Sequence, residues 1–208
     1  MTLQNRVLPD GQITALPFRG TLMGNRGILH DDRQRLKTSR WTHPHWVTCV
    51  LEFKDWHRPV MIPNHYTELF FLDECVALAA GHRPCGLCRR EDYTRFRSAW
   101  AMSHGKNTLD QDDRVLHAAR VTRTRQHIRH AAPIETLPDG CFIWHDDAPH
   151  LIWHNHLLRY DGGIYTASLP NPGTGDVTVL TPAPTVSVLG HGYVPQPHSS
   201  ALSLLNQA

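Results

Sequence analysis

The run Gly81-His82-Arg83-Pro84-Cys85-Gly86-Leu87-Cys88-Arg89-Arg90 constrains this chain more than any other stretch. Two cysteines separated by two residues present both thiolates to one side of a tight turn, where they can hold two corners of a tetrahedral metal. Gly81 marks the end of the element before it, because helices commonly stop at a glycine in the left-handed conformation. Arg83, Arg89 and Arg90 lie around the thiols, and nearby cations favour the thiolate that a metal requires. Such a knuckle is half of a zinc site, so the fold has to bring the other half to it.

Cysteine usage supports metal over disulfides. The five cysteines are Cys49, Cys75, Cys85, Cys88 and Cys141. An odd number with a Cys-x-x-Cys core, and no basic-then-apolar signal at the N-terminus, argues against a secreted disulfide framework. No stretch reaches the length of a membrane span, so a cytoplasmic location without membrane attachment is expected. The 16 histidines widen the pool of possible ligands, although one metal takes only a few of them.

A net charge of +2 conceals an uneven distribution. Between Arg114 and His130 stand five arginines and three histidines without an acid, whereas Arg159 is the only Lys or Arg after that, against six acids. The strip reads either as a phosphate-contacting face, with Arg120 and Arg123 near its centre, or as an ordinary solvated helix face.

Local patterns place these features on elements. Residues 1–17 read as a lead-in, and the three glycines between Phe18 and His30 read as turns. Trp46 to Phe53 is a strand candidate rich in β-branched and aromatic residues, with Arg58 to Ile62 as its hairpin partner and Tyr66 to Phe71 as a further strand. Asp73 caps a short helix through Ala80. Glu91 to Met102 forms an amphipathic helix with Tyr93, Phe96 and Trp100 on its core side, and Asp110 to Ala131 forms a second helix. From Leu137 onward short strand candidates alternate with turns: Cys141 to Trp144, His150 to Trp153, Leu157 to Tyr160 and Val177 to Leu180. This pattern suggests a β meander or small barrel, ending in a frayed tail or short helix from Ser199.

The phrase Ala77-Leu78-Ala79-Ala80-Gly81-His82-Arg83-Pro84-Cys85-Gly86-Leu87-Cys88, preceded by a strand, resembles the zinc-binding N-terminal domain of the Ada DNA alkylation-repair proteins. The resemblance spans residues 66–90 and extends back to Trp46. It implies that Cys85 and Cys88 form the second half of a zinc site. The first half falls on Trp56-His57-Arg58-Pro59-Val60-Met61, with His57 on one upstream ligand position and Met61 on the other. A histidine suits zinc and a thioether does not. No cysteine stands where the family's methyl acceptor would be, so the resemblance implies a zinc fold in a nucleic-acid setting without that repair reaction. The ligand set expected is therefore Cys49, Cys85, Cys88 and His57, with His30 and His65 in reserve. Cys75 and Cys141 read as small apolar core residues.

Three other patterns carry less information. His43-Pro44-His45 and His154-Asn155-His156 would each put two rings on one face of a strand, as a metal pair or as solvent-facing residues. Met23-Gly24-Asn25-Arg26-Gly27 could set backbone amides and Arg26 against a phosphate, but it is as short as any glycine turn. The neighbouring acids Asp112-Asp113 and Asp146-Asp147 point apart on regular elements and do not make a two-carboxylate catalyst.

The expected fold class is α+β: a zinc module with a helical extension over 18–132 and a β-rich part over 133–208. The expected function is zinc binding with nucleic acid as partner, phosphates being contacted by Arg83, Arg89, Arg90, Arg120 and Arg123. Two alternatives stand beside it. One is a zinc-dependent enzyme acting on nucleic acid or a modified base through a metal-activated water. The other is a structural zinc protein whose partner is another protein.

Overall fold

A computed structural model describes residues 2–54 and 59–206. Among the described residues two six-stranded sheets and five α-helices make a mixed α+β architecture. The N-terminal sheet contains β1 (Arg6–Val7), β2 (Ile13–Thr14), β3 (Leu22–Asn25), β4 (Val47–Val50), β5 (Leu69–Phe71) and, after helix α1 (Glu74–Ala79), β6 (Arg83–Pro84). Helices α2 (Arg90–His104) and α3 (Leu109–Arg120) follow. The second sheet is built from β7 (His130–Pro133), β8 (Phe142–His145), β9 (Ala148–Trp153), β10 (His156–Asp161), β11 (Ile164–Pro170) and β12 (Asp176–Val179), and the chain closes with α4 (Ala183–Gly190) and α5 (Ser199–Leu205). Among the described residues no helix is long and apolar enough to cross a membrane.

The first sheet has the order β2-β1-β5-β3-β4-β6, with β1 parallel to β5 and β4 parallel to β6. Residues before Phe18 thus enter the sheet, Arg6 pairing with Phe70. β4 takes β3 as its antiparallel neighbour. Pro59–Ile62, expected as its hairpin partner, forms turns and irregular chain, and Arg58 falls outside the described residues. Pro84 lacks a donor and sits on the edge strand, where no donor is needed.

The second sheet runs β11-β10-β9-β8-β12-β7, antiparallel throughout. Its central strands are apolar on both faces, as strands covered on both sides must be. Phe142, Leu151 and Leu158 enter one buried cluster with Val7, Leu69 and Phe71, while Ile143, Ile152 and Leu157 enter another with Phe96, Trp100 and Leu116. Both clusters draw residues from either side of position 133, and α1 contributes to both, through Val76 and Leu78 respectively.

Every residue of α1 is buried. Asp73 caps it by accepting from Val76 N, and the same carboxylate accepts from Tyr165 Oη and His198 N at 2.8 Å each. Glu74 accepts from Gln196 N at 3.1 Å, from Tyr193 Oη and from Arg89. These two acids tie the C-terminal segments to the first sheet, because a buried carboxylate has to be surrounded by donors. Gly81 then turns the chain with φ +84°. A Cβ there would lie 2.5 Å from Arg120 Cδ, so glycine is required for both its conformation and its size.

The helix expected to continue to Ala131 ends at Arg120. Val121 has extended backbone and bridges to His127 across a turn in which Arg125 has φ +68°. Val121, Thr122 and Thr124 are β-branched and favour that extended conformation. The arginine strip is consequently divided between a helix end and a hairpin turn.

Candidate metal centre

Register places the cysteines. β4 runs parallel to β6 with Val47 opposite Arg83 and Thr48 opposite Pro84, and the ladder extends one step because Cys85 N donates to Thr48 O at 2.9 Å. That step sets Cys85 beside Cys49. Alternation along β4 buries Thr48 and turns Cys49 to the opposite face. The chain then tightens, Arg89 N donating to Cys85 O at 3.1 Å, and enters α2 with Cys88 at its approach.

The Sγ atoms of Cys49, Cys85 and Cys88 all lie within 4.8 Å of one another, and all three residues are half-buried. Zinc–sulfur bonds of about 2.3 Å at tetrahedral angles put sulfurs about 3.8 Å apart, so the cluster matches the needs of a thiolate-bound metal in spacing and in donor chemistry. Leu87 N points at Cys85 Sγ at 3.4 Å. Cys85 is the thiol most readily ionised: hydrogen bonds from Cys49 and Cys88 lower it, with help from the backbone N–H groups of Cys88 and Leu87. Cys49 is raised, first because it donates to Cys85 and Cys88 and then by burial. Cys88 accepts from Cys49, which lowers it, but its bond to Cys85 and its burial raise it overall.

Arginine charge is not what favours this thiolate. Arg83 Nε and Nη2 donate to the two oxygens of Asp113 at 2.6 and 2.7 Å. Arg89 donates to Glu74 at 2.6 Å, to Asp92 and to Thr48 Oγ1. Arg120 is wholly buried, with Nη1 2.7 Å from Gly81 O and its guanidinium 3.8 Å from the Trp46 ring. Burial lowers the Arg120 pKa well below its usual value. The guanidiniums of Arg83, Arg89 and Arg120, expected to contact phosphates, are interior and lie against carboxylates, carbonyls or an indole. Of that set, Arg90 and Arg123 are exposed.

His57 lies outside the described residues. His30 is buried with both ring nitrogens engaged, by Thr67 Oγ1 at 2.7 Å and Ile62 O at 3.2 Å, and His65 is exposed with Nδ1 on Pro63 O. Neither belongs to the sulfur cluster. Met61 is buried, its N–H held by Glu68 Oε2. Cys75 and Cys141 sit in the two apolar clusters, where burial raises both thiols.

His154 and Asn155 form the two-residue turn between β9 and β10, both with positive φ, so His154 and His156 do not share a strand face. His43 and His45 stack at 5.9 Å between ring centroids, and each bonds a side chain: Asn25 Oδ1 and Asp113 Oδ2. Asp112 and Asp113 are both buried and serve different arginines, Arg97 and Arg83. Nothing in the local sequence marks Asp113 or Glu74 as the counter-charges of the knuckle's arginines. Only the packing of α3 and α1 against it does so.

Fold and site together define an α+β protein with a three-cysteine candidate metal centre. Compared with known protein families, curated proteins and solved structures, the chain matches none. The Ada-like resemblance therefore rests on the phrase at residues 77–88 and on the clustering of three cysteines.

Proposed function

We propose that this chain is a zinc-binding protein in which Cys49, Cys85 and Cys88 are three of the ligands and His57 is the fourth. The observation that carries the reading is the approach of three thiols from two separate segments to within 4.8 Å. Such a site locks β4 to the knuckle at the head of α2. With four protein ligands it is closed, and its contribution is to the fold. The partner we propose is nucleic acid, on the strength of the Ada-like phrase and of exposed cations, Arg90 beside the knuckle and Arg123 in the 121–127 turn.

The test has two independent readouts. Elemental analysis of purified protein is expected to give one zinc per chain, and Cys49→Ser and Cys88→Ser to reduce it. Full zinc content in both variants would sink the metal reading. Binding to a mixed-sequence oligonucleotide is expected to weaken with added salt and in Arg90→Glu/Arg123→Glu. Binding that ignores both salt and charge reversal would remove the nucleic-acid partner and leave the metal centre standing.

A further inference from the structure

A second feature lies apart from the cysteines. A cleft of about 610 Å³ opens between the β1–β2 turn and the turn at 121–127. Its volume is in the range of small-ligand sites. Arg26, Arg40, Arg125 and Arg129 line it, against one carboxylate, Asp10. His127 also lines it, and burial lowers that ring to about 4, so it adds no charge at neutral pH.

Arg26 is the unusual member. It is 2% exposed, it makes no ion pair among the described residues, and its Nη2 has no hydrogen-bond partner there. Its other contacts are neutral: Nε to His82 Nε2 at 3.3 Å, Nη1 to Gly11 O at 3.4 Å, and the Trp46 ring 4.0 Å from the guanidinium carbon. Gly11 and Trp46 line the same cleft. Burial, then the charge on Arg40, lowers the Arg26 pKa to about 9, which leaves it cationic at neutral pH.

A buried charge without a counter-ion is costly. The other three arginines are also under-used. Arg40 spends Nη1 on the carbonyls of Lys37, Thr38 and Ser39. Arg129 lies 3.9 Å from Asp10 and over the Trp144 ring. Arg125 is exposed and has no ion pair among the described residues. Four guanidiniums around a concave surface with one internal acid match a ligand with more than one negative charge, and the guanidinium fork fits phosphate oxygens in pairs.

We propose that this cleft binds a small phosphate-bearing molecule, with Arg26 at its base and Arg40, Arg125 and Arg129 at its sides. The phosphate supplies the counter-charge that Arg26 lacks. The site uses none of the cysteines, so it stands or falls separately from the metal centre.

Calorimetric titration of the full chain with inorganic phosphate and with inorganic pyrophosphate tests this. Zinc content is measured before and after, so that metal withdrawal is not counted as binding. Pyrophosphate is expected to bind at one per chain and more tightly than phosphate. Arg26→Gln is expected to weaken it about tenfold or more, as for loss of a charged hydrogen bond. If that buried variant does not fold, the exposed pair Arg125→Ser/Arg129→Ser carries the test and is expected to weaken binding by a similar factor. No binding of pyrophosphate at millimolar concentration, or unchanged binding in the exposed double variant, overturns the proposal. A single-stranded oligonucleotide that binds where pyrophosphate does not overturns it as well, since the cleft would then not be a small-ligand site.

Discussion

Asp113→Asn is the substitution that most directly tests how the knuckle is held. Asp113 is fully buried on α3, and Arg83, 4% exposed, grips both of its oxygens; His45 Nδ1 adds a third contact at 2.8 Å. The amide keeps the shape of the carboxylate but not its charge. Arg83 would then remain in the interior with no counter-ion among the described residues, where its one other hydrogen bond goes to Pro84 O. Removing one partner of a buried pair costs about 3–5 kcal/mol. For a chain of this size each kcal/mol shifts the melting temperature by roughly 2–4 °C, so the variant should melt about 6–20 °C lower. Arg83→Met should lose a comparable amount by stranding Asp113. The double variant Arg83→Met/Asp113→Leu removes both desolvation costs and should recover about 2 kcal/mol or more over either single change. Urea denaturation of zinc-loaded protein, with unchanged slope, measures all three. Single variants within about 1 kcal/mol of the parent, or a double variant whose loss is the plain sum of the two, would refute the assignment of Arg83 as an internal structural cation.

Other outcomes follow from the same structure. Gly81→Ala should cost about 1–3 kcal/mol in urea denaturation, because φ +84° is unfavourable for alanine and the new methyl would meet Arg120; an unchanged midpoint would contradict the geometry at the end of α1. His127 is partly buried, with Nε2 donating to Leu180 O at 2.8 Å, and its folded pKa is near 4 against an unfolded value near 6.5. The unfolded chain therefore binds the proton first as pH falls, so His127 contributes stability that is present above about pH 6.5 and declines toward pH 4, by up to about 1.4 kcal/mol per unit. In phosphate-free buffer His127→Gln should flatten that slope, and an identical pH dependence in both proteins would count against it. Stripping the metal with a chelator should lower the melting temperature of the parent and leave that of Cys85→Ser/Cys88→Ser unmoved; equal shifts in the two would show that the chelator acts elsewhere.

Local chemistry made the centre of this protein legible from its residues alone. Asp73 as cap, a short helix through the alanines, Gly81 as stop and Cys-x-x-Cys as knuckle depend on contacts within a few positions of each other. The apolar runs of β8, β9 and β10 are equally readable, because a strand covered on both faces announces itself by continuous hydrophobicity, while β12 is readable from its β-branched residues. β11 and α4 are harder to read: Ile164–Pro170 mixes apolar, small and polar residues without a clear alternation and ends in proline, and Ala183–Gly190 begins at prolines and is rich in β-branched residues. The end of α3 was misplaced by eleven residues from Arg120 because arginines and histidines are compatible with a helix, and only the bridge from Val121 to His127 decides against one.

Charge was where tertiary structure ruled. An arginine beside a cysteine reads the same in sequence whether it faces water or an interior carboxylate. Asp113 lies 30 positions from Arg83, Glu74 lies 15 from Arg89, and Gly81 O lies 39 from Arg120. Those separations carry no periodic signal, so packing alone determines which cations meet a carboxylate, as Arg83 and Arg89 do, and which, like Arg26 and Arg120, have no ion pair among the described residues. The residue types and their local spacing determined that a thiolate knuckle forms; the parallel pairing of β4 with β6 decided that Cys49 reaches it.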